Sequence, residues 1–129
     1  MIKNQTARLI LLPLLASLLL MAGCSETVNI QLEPKVGAYL VTDSKTKINL
    51  DETDPAHLEL NNWLEENKTG WHNTRGRFPG GVYLKSGVNG IQVTGVEIII
   101  YSTTGLEPDA KFVKFLGKTE LPLVRAIGQ

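Results

Sequence analysis

The chain has 129 residues, formal net charge +0, 20% charged residues and 43% hydrophobic ones, with a single cysteine. So even a charge balance argues against a nucleic-acid binder or an electrostatic membrane binder. The lone cysteine rules out a disulfide within the chain, and the length suits one modest domain rather than two.

The N-terminus is divided into three parts. Residues 1–8 are polar and carry Lys3 and Arg8 without an acid, residues 9–22 read LILLPLLASLLLMA, and Ala22-Gly23 precedes Cys24. A basic start, a short apolar stretch and small residues at the cut form the pattern of a secretory signal peptide. A permanent span needs roughly 20 apolar residues, and this run is shorter and contains Pro13. Met21-Ala22-Gly23-Cys24 resembles the lipobox of bacterial lipoproteins, with Met21 where that family prefers leucine. The resemblance implies cleavage of residues 1–23, a diacylglyceryl group on the Cys24 sulfur and acylation (palmitate-type) of the new amine. Two or three acyl chains bind a membrane firmly where one does so only marginally. Ser25, in place of the aspartate that retains such proteins at the inner membrane, implies an outer-membrane, periplasm-facing location. Loss of the leader removes Lys3 and Arg8, leaving 11 basic and 13 acidic residues.

Residues 24–35 read as a lipidated tether and the start of a first strand, with Val28, Ile30 and Leu32 in the two-residue strand period. Residues 36–129 read as one domain. GAYLVT (37–42) predicts a strand, and DSKTKINLDETD a turn-rich polar stretch with only Ile48 and Leu50 alternating. Asp54 to about Lys68 predicts the principal helix. Asp54 is placed to cap it and Pro55 suits the first helical position. Ala56, Leu60, Trp63 and Leu64 make its apolar stripe, Leu58 falls off it, and Gly70 suits the stop.

Beyond the helix the pattern turns to β. Trp71–Phe78 and Gly81–Lys85 predict strands around Pro79-Gly80-Gly81, and Ile91–Val93 and Val96–Ser102 flank a Thr94-Gly95 turn. VEIIIYS (96–102) predicts the central strand. Ala110–Leu116 is helix or strand by pattern, and the loop before it favours strand. Thr119–Ile127 predicts a short helix capped by Thr119. The fold class expected is α+β: a small antiparallel sheet with one principal helix packed on it.

No motif carries catalysis. His57 and His72 are too few for a zinc site once Cys24 is acylated, with His57 expected at the edge of the helix stripe, partly buried. No serine lies in a Gly-x-Ser-x-Gly elbow. Gly117-Lys118-Thr119 lacks the earlier glycine of a phosphate loop, Phe112 standing in its place. Asp51, Glu52 and Asp54 lack the spacing of a calcium loop. The expectation is a non-enzyme with no cofactor and no metal.

The segment 67–90 carries Trp71, Arg75, Arg77, Phe78 and Tyr83 among six glycines. Aromatic residues and arginine dominate binding hot spots, so these five are the candidate partner-binding residues. Trp63, Leu64, Asn67, Gly70 and Trp71 form a WL-x-x-N-x-x-GW segment that resembles small proteobacterial lipoproteins thought to act as immunity proteins. The resemblance covers roughly residues 58–101 and implies a β-hairpin after the helix and neutralisation of a secreted toxin. The expected function is therefore a lipid-anchored envelope protein that binds another protein, with a role as an immunity protein implied by the resemblance. A structural or assembly lipoprotein of the envelope is the alternative, and a cell-wall or lipid hydrolase the remoter one.

Overall fold

A computed structural model of the chain describes residues 25–129; the expected leader and the lipidation site Cys24 lie outside them. The strands are β1 (Lys35–Leu40), β2 (Asp43–Asp51), β3 (His72–Asn73), β4 (Val82–Ser86), β5 (Asn89–Val93), β6 (Glu97–Ser102) and β7 (Asp109–Phe115). The helices are α1 (Pro55–Glu66) and α2 (Pro122–Arg125). All seven strands join one antiparallel sheet in the order β2-β1-β4-β5-β6-β7-β3. Among the described residues the sheet dominates, with two small helices beside it, so the expected small sheet is in fact most of the described structure.

Alternation decides the two faces. Val36 and Ala38, Val82 and Leu84, Ile91 and Val93, and Ile98 and Ile100 point to one side and form the main core with Leu60, Trp63 and Leu64 of α1. Their neighbours Tyr39, Tyr83, Ile99 and Tyr101 point to the other and form a second cluster. β6 is an interior strand with four consecutive buried residues. The middle place belongs to β5, whose hairpins on both sides use the turns at Gly87 and Gly95.

Several elements differ from the sequence pattern for identifiable reasons. The polar stretch 43–51 is a nine-residue edge strand, exposed except near Ile48 and Leu50. Its register on β1 jumps from Ala38↔Ile48 to Leu40↔Asp43, so residues 44–47 bulge out. Charged side chains and a bulge are ordinary protection for a sheet edge. The expected strand 71–78 shrinks to His72–Asn73, because Gly76, Gly80 and Gly81 all turn the backbone to positive φ. Gly81 has no alternative: a Cβ there would overlap the Val93 carbonyl oxygen.

Residues 26–33 are not a slack tether, nor a strand. They are extended, and Val28, Ile30 and Leu32 are buried against the main core. One bridge joins Glu26 to Trp71. The Leu32 amide donates to Asn61 Oδ1 at 3.0 Å, the Glu33 amide to Ser86 Oγ at 2.8 Å, and His57 Nε2 to the Glu33 carbonyl at 2.7 Å. His57 is therefore 4% exposed, more enclosed than its place at the stripe's edge implies.

Helix α1 begins at Pro55 as expected, but Asp54 does not cap it. The Asp54 carboxylate turns back to accept the Asp51 amide at 2.8 Å. The helix also stops before Lys68, because the Asn67 side-chain amide donates to the Trp63 carbonyl at 2.8 Å. Trp71 then packs edge-on to Trp63 with ring centroids 6.0 Å apart and donates its Nε1–H to the Asn67 carbonyl at 2.7 Å. Thr119 caps nothing either. Leu121 occupies the left-handed region at φ 54 before Pro122, and Glu59 of α1 accepts the Leu123 and Val124 amides at the start of α2. A long-range carboxylate thus serves those free N–H groups and offsets the cost of Leu121's backbone, about 1–2 kcal/mol. Among the described residues, no helix is long and apolar enough to cross a membrane.

Candidate functional site

The face of the sheet away from α1 holds an open cleft of about 250 Å³. Three strands supply its floor with one tyrosine each: Tyr39 from β1, Tyr83 from β4 and Tyr101 from β6. Tyr39 and Tyr83 are register partners, with ring centroids 5.2 Å apart and planes tilted by 34°. Tyr83 and Tyr101 stand edge to face at 5.8 Å. Phe78 and Arg77 from the loop 74–81 form one wall, and Pro108 another.

Gln92 of β5 organises the site. Strand alternation puts it on the outer face between Ile91 and Val93, where it is 2% exposed. Its Nε2 donates to the carbonyls of Phe78 (2.8 Å) and Gly80 (2.6 Å), and its Oε1 accepts the Tyr101 hydroxyl at 2.6 Å. That hydroxyl in turn accepts the Phe78 amide at 3.1 Å. A buried network in which each member is satisfied is rigid, so this one fixes the aromatic wall on the sheet. A salt bridge from Arg77 to Glu107, 3.0 Å and exposed, joins the two loops at the mouth.

Burial governs the chemistry of the phenols. It raises the Tyr39 pKa above its ordinary value. It pushes Tyr83 up to about 12, helped by the neighbouring hydroxyls of Tyr39 and Tyr101. Tyr101 is also raised by burial, against the opposing pull of the Phe78 amide and Arg77. All three stay protonated at neutral pH and act as stacking and hydrogen-bonding surfaces. The Tyr83 ring lies across Gly90, where any Cβ would overlap its hydroxyl, and that buried hydroxyl has no partner.

The five candidate residues separate. Arg77, Phe78 and Tyr83 meet at the cleft. Arg75 is exposed but outside the lining, so the two arginines do not share one contact point. Trp71 is 0% exposed and has no surface to offer a partner; its role is the helix-end packing described above. Sequence reasoning missed Tyr39, Gln92 and Tyr101. The available signal was the strand period: a glutamine between two aliphatic residues in IQV, and tyrosines in phase with it in the adjacent strands.

Among the described residues no group of three His, Cys, Asp or Glu side chains is placed to hold a metal ion. Both histidines are accounted for separately, His57 in the core and His72 exposed on β3. No protein-family model matches the chain, and neither the curated proteins nor the solved structures contain a significant match to it.

Proposed function

We propose that this is a lipid-anchored protein of the cell envelope that binds another protein through the outer face of its sheet. The single observation that carries the binding reading is the tyrosine cleft itself, held open by the Gln92 network and left unfilled by the chain's own side chains. At about 250 Å³ it is smaller than the usual small-molecule or cofactor pocket of roughly 300–1,000 Å³. It has room for one inserted side chain, and tyrosine, phenylalanine and arginine around such a socket are the residue types that carry interface energy. In this reading the domain is a non-enzymatic binder, and its three protonated phenols serve as contact surface.

The lipobox resemblance around Cys24 supports the anchor, and Ser25 supports the periplasmic face of the outer membrane. The WL-x-x-N-x-x-GW resemblance supports immunity against a secreted toxin as the purpose of binding. A structural or assembly role in the envelope uses the same surface with a resident partner.

The test is crosslinking and affinity capture from envelopes with the anchor intact. Tyr39→Ala with Phe78→Ala is expected to lower partner recovery at least tenfold, while Leu58→Ala on the solvent side of α1 leaves it unchanged. Equal recovery with all three proteins overturns the cleft as the binding site. Mass spectrometry of native protein is expected to find a diacylated or triacylated residue 24 at the N-terminus; a free thiol there, or an uncut leader, overturns the anchor.

A further inference from the structure

Beside the tyrosine cleft, on the same face, three lysines meet around a glycine. In β1 the outward positions are Lys35, Gly37 and Tyr39; in β4 they are Lys85 and Tyr83. The register sets Gly37 directly opposite Lys85, and Tyr39 directly opposite Tyr83. From the bulge of β2, Lys47 reaches back over the same glycine, where a Cβ would collide with its side chain. The three lysines line one open hollow of about 610 Å³, floored by Gly37.

The lysines outnumber the acids of the hollow. None of Lys35, Lys47 and Lys85 belongs to a salt bridge found among the described residues. Two acids lie close by, Asp51 in the lining and Glu33 at the rim. Asp51 faces Lys35 across the register, but its carboxylate accepts the Thr53 amide and hydroxyl instead. Glu33 packs against Gly87 at the far rim. Three lysines against the one lining carboxylate of Asp51 leave the hollow net positive, which raises the local concentration of anions. The missing side chain at Gly37 makes room for the Lys47 stem, which carries its ammonium to the middle of the cluster beside Lys35 and Lys85.

We propose that the lysine hollow and the tyrosine cleft form one docking surface for an extended acidic segment of the partner protein. A partner carboxylate sits in the hollow against the Lys47 ammonium that covers Gly37, between Lys35 and Lys85, and an apolar or aromatic side chain two residues further on enters the cleft. The spacing supports this. Gly37 and Tyr39 are two residues apart along β1, about 7 Å, and an extended partner repeats its same-side groups at the same interval. Charge complementarity selects the acid, and the cleft's size admits one side chain beside it. The inference rests on the reading that the outer face binds a protein, and it adds the chemistry of that partner.

The experiment uses full-length protein in a neutral detergent and four capped nine-residue peptides. One has a central glutamate–glycine–phenylalanine triplet flanked by two further glutamates. The second makes the glutamate and phenylalanine adjacent, the third replaces every glutamate by lysine, and the fourth replaces phenylalanine by alanine. NMR titration is expected to show the first peptide shifting amides of residues 37–39 and 83–85, with affinity falling at least tenfold for each of the other three. The Lys35→Gln, Lys47→Gln, Lys85→Gln triple variant keeps its native spectrum, since these side chains are exposed, and is expected to lose at least tenfold for the first peptide. Raising salt from 50 to 500 mM is expected to weaken binding severalfold, as for exposed charges.

Equal binding of all peptides, no binding of the first, or full affinity in the triple variant overturns the proposal. So does lysine-dependent binding of phosphatidylglycerol vesicles without binding of the first peptide, which assigns the lysines to a lipid headgroup. If partner capture fails in the cleft variant but survives in the lysine variant, the protein-binding reading stands and the acidic-segment inference falls. If capture survives both, the two fall together.

Discussion

The two faces of the sheet use the same strands for opposite ends. Toward α1, Ala38, Leu84, Ile91 and Ile98 are each 0% exposed and belong to the main hydrophobic core. Toward solvent, the residues one step along each strand are Tyr39, Tyr83, Gln92 and Ile99. Tyrosine and glutamine pack well only when their polar tips are satisfied, and here the tips hold a loop, fail to find a partner, or face an open cleft. Stability thus belongs mainly to the inner face, and the proposed recognition to the outer one. The contrast makes a strong demand: changes on one face should be felt in folding, and changes on the other in binding.

The largest break is expected on the inner face. Leu60→Ala removes a fully buried side chain between α1 and the sheet, and should cost about 3–4 kcal/mol in urea unfolding. Next comes Gln92→Leu, which strands the Phe78 and Gly80 carbonyls and the Tyr101 hydroxyl. It should cost about 2 kcal/mol and speed amide exchange in residues 74–81 beyond the global loss. If the loop stays protected, the network does not hold it.

Tyr83→Phe should move the other way. It removes a buried hydroxyl with no partner, so stability at pH 7 should be equal or up to about 1 kcal/mol higher. The pH dependence sharpens the point. The folded pKa of Tyr83 lies near 12, above the ordinary value of 10.0, so the folded protein holds this proton more tightly than the unfolded chain. Its contribution is complete below pH 10 and is lost as pH rises toward 12. Thermal melts of the wild type should fall over that window, and those of Tyr83→Phe should fall less. The smallest effect is Arg77→Ala. Its ion pair with Glu107 is exposed, so unfolding should change by less than about 0.5 kcal/mol, while partner binding should weaken measurably.

What the chain reveals of itself follows the same division. Inner-face strands show up as aliphatic runs, and the helix as a stripe behind Pro55, because burial against one partner imposes a period. The edge strand β2 is disguised by its exposure, since a polar strand and a polar turn have nearly the same composition. The helix caps fail for another reason. Asp54 and Thr119 suit the job locally, but Asp51 claims one and Glu59, on a different helix, replaces the other. In the site, Arg77 and Phe78 are visible as unusual loop residues. The lysine hollow and the tyrosine triad are not, because their members are scattered from residue 35 to 101 and meet only through the register. The segment ending in Trp71 draws attention by its tryptophans, which serve to lock the end of α1.

The clasp on residues 26–33 has a geometric consequence for the lipid anchor proposed at Cys24. Glu26 is already bonded to Trp71, and residue 24 is two positions away, a reach of at most about 7 Å. With the proposed anchor such a body would have almost no leash. It would ride against the bilayer rather than patrol the space above it, and whatever it gripped would have to come down to the lipid surface to be met.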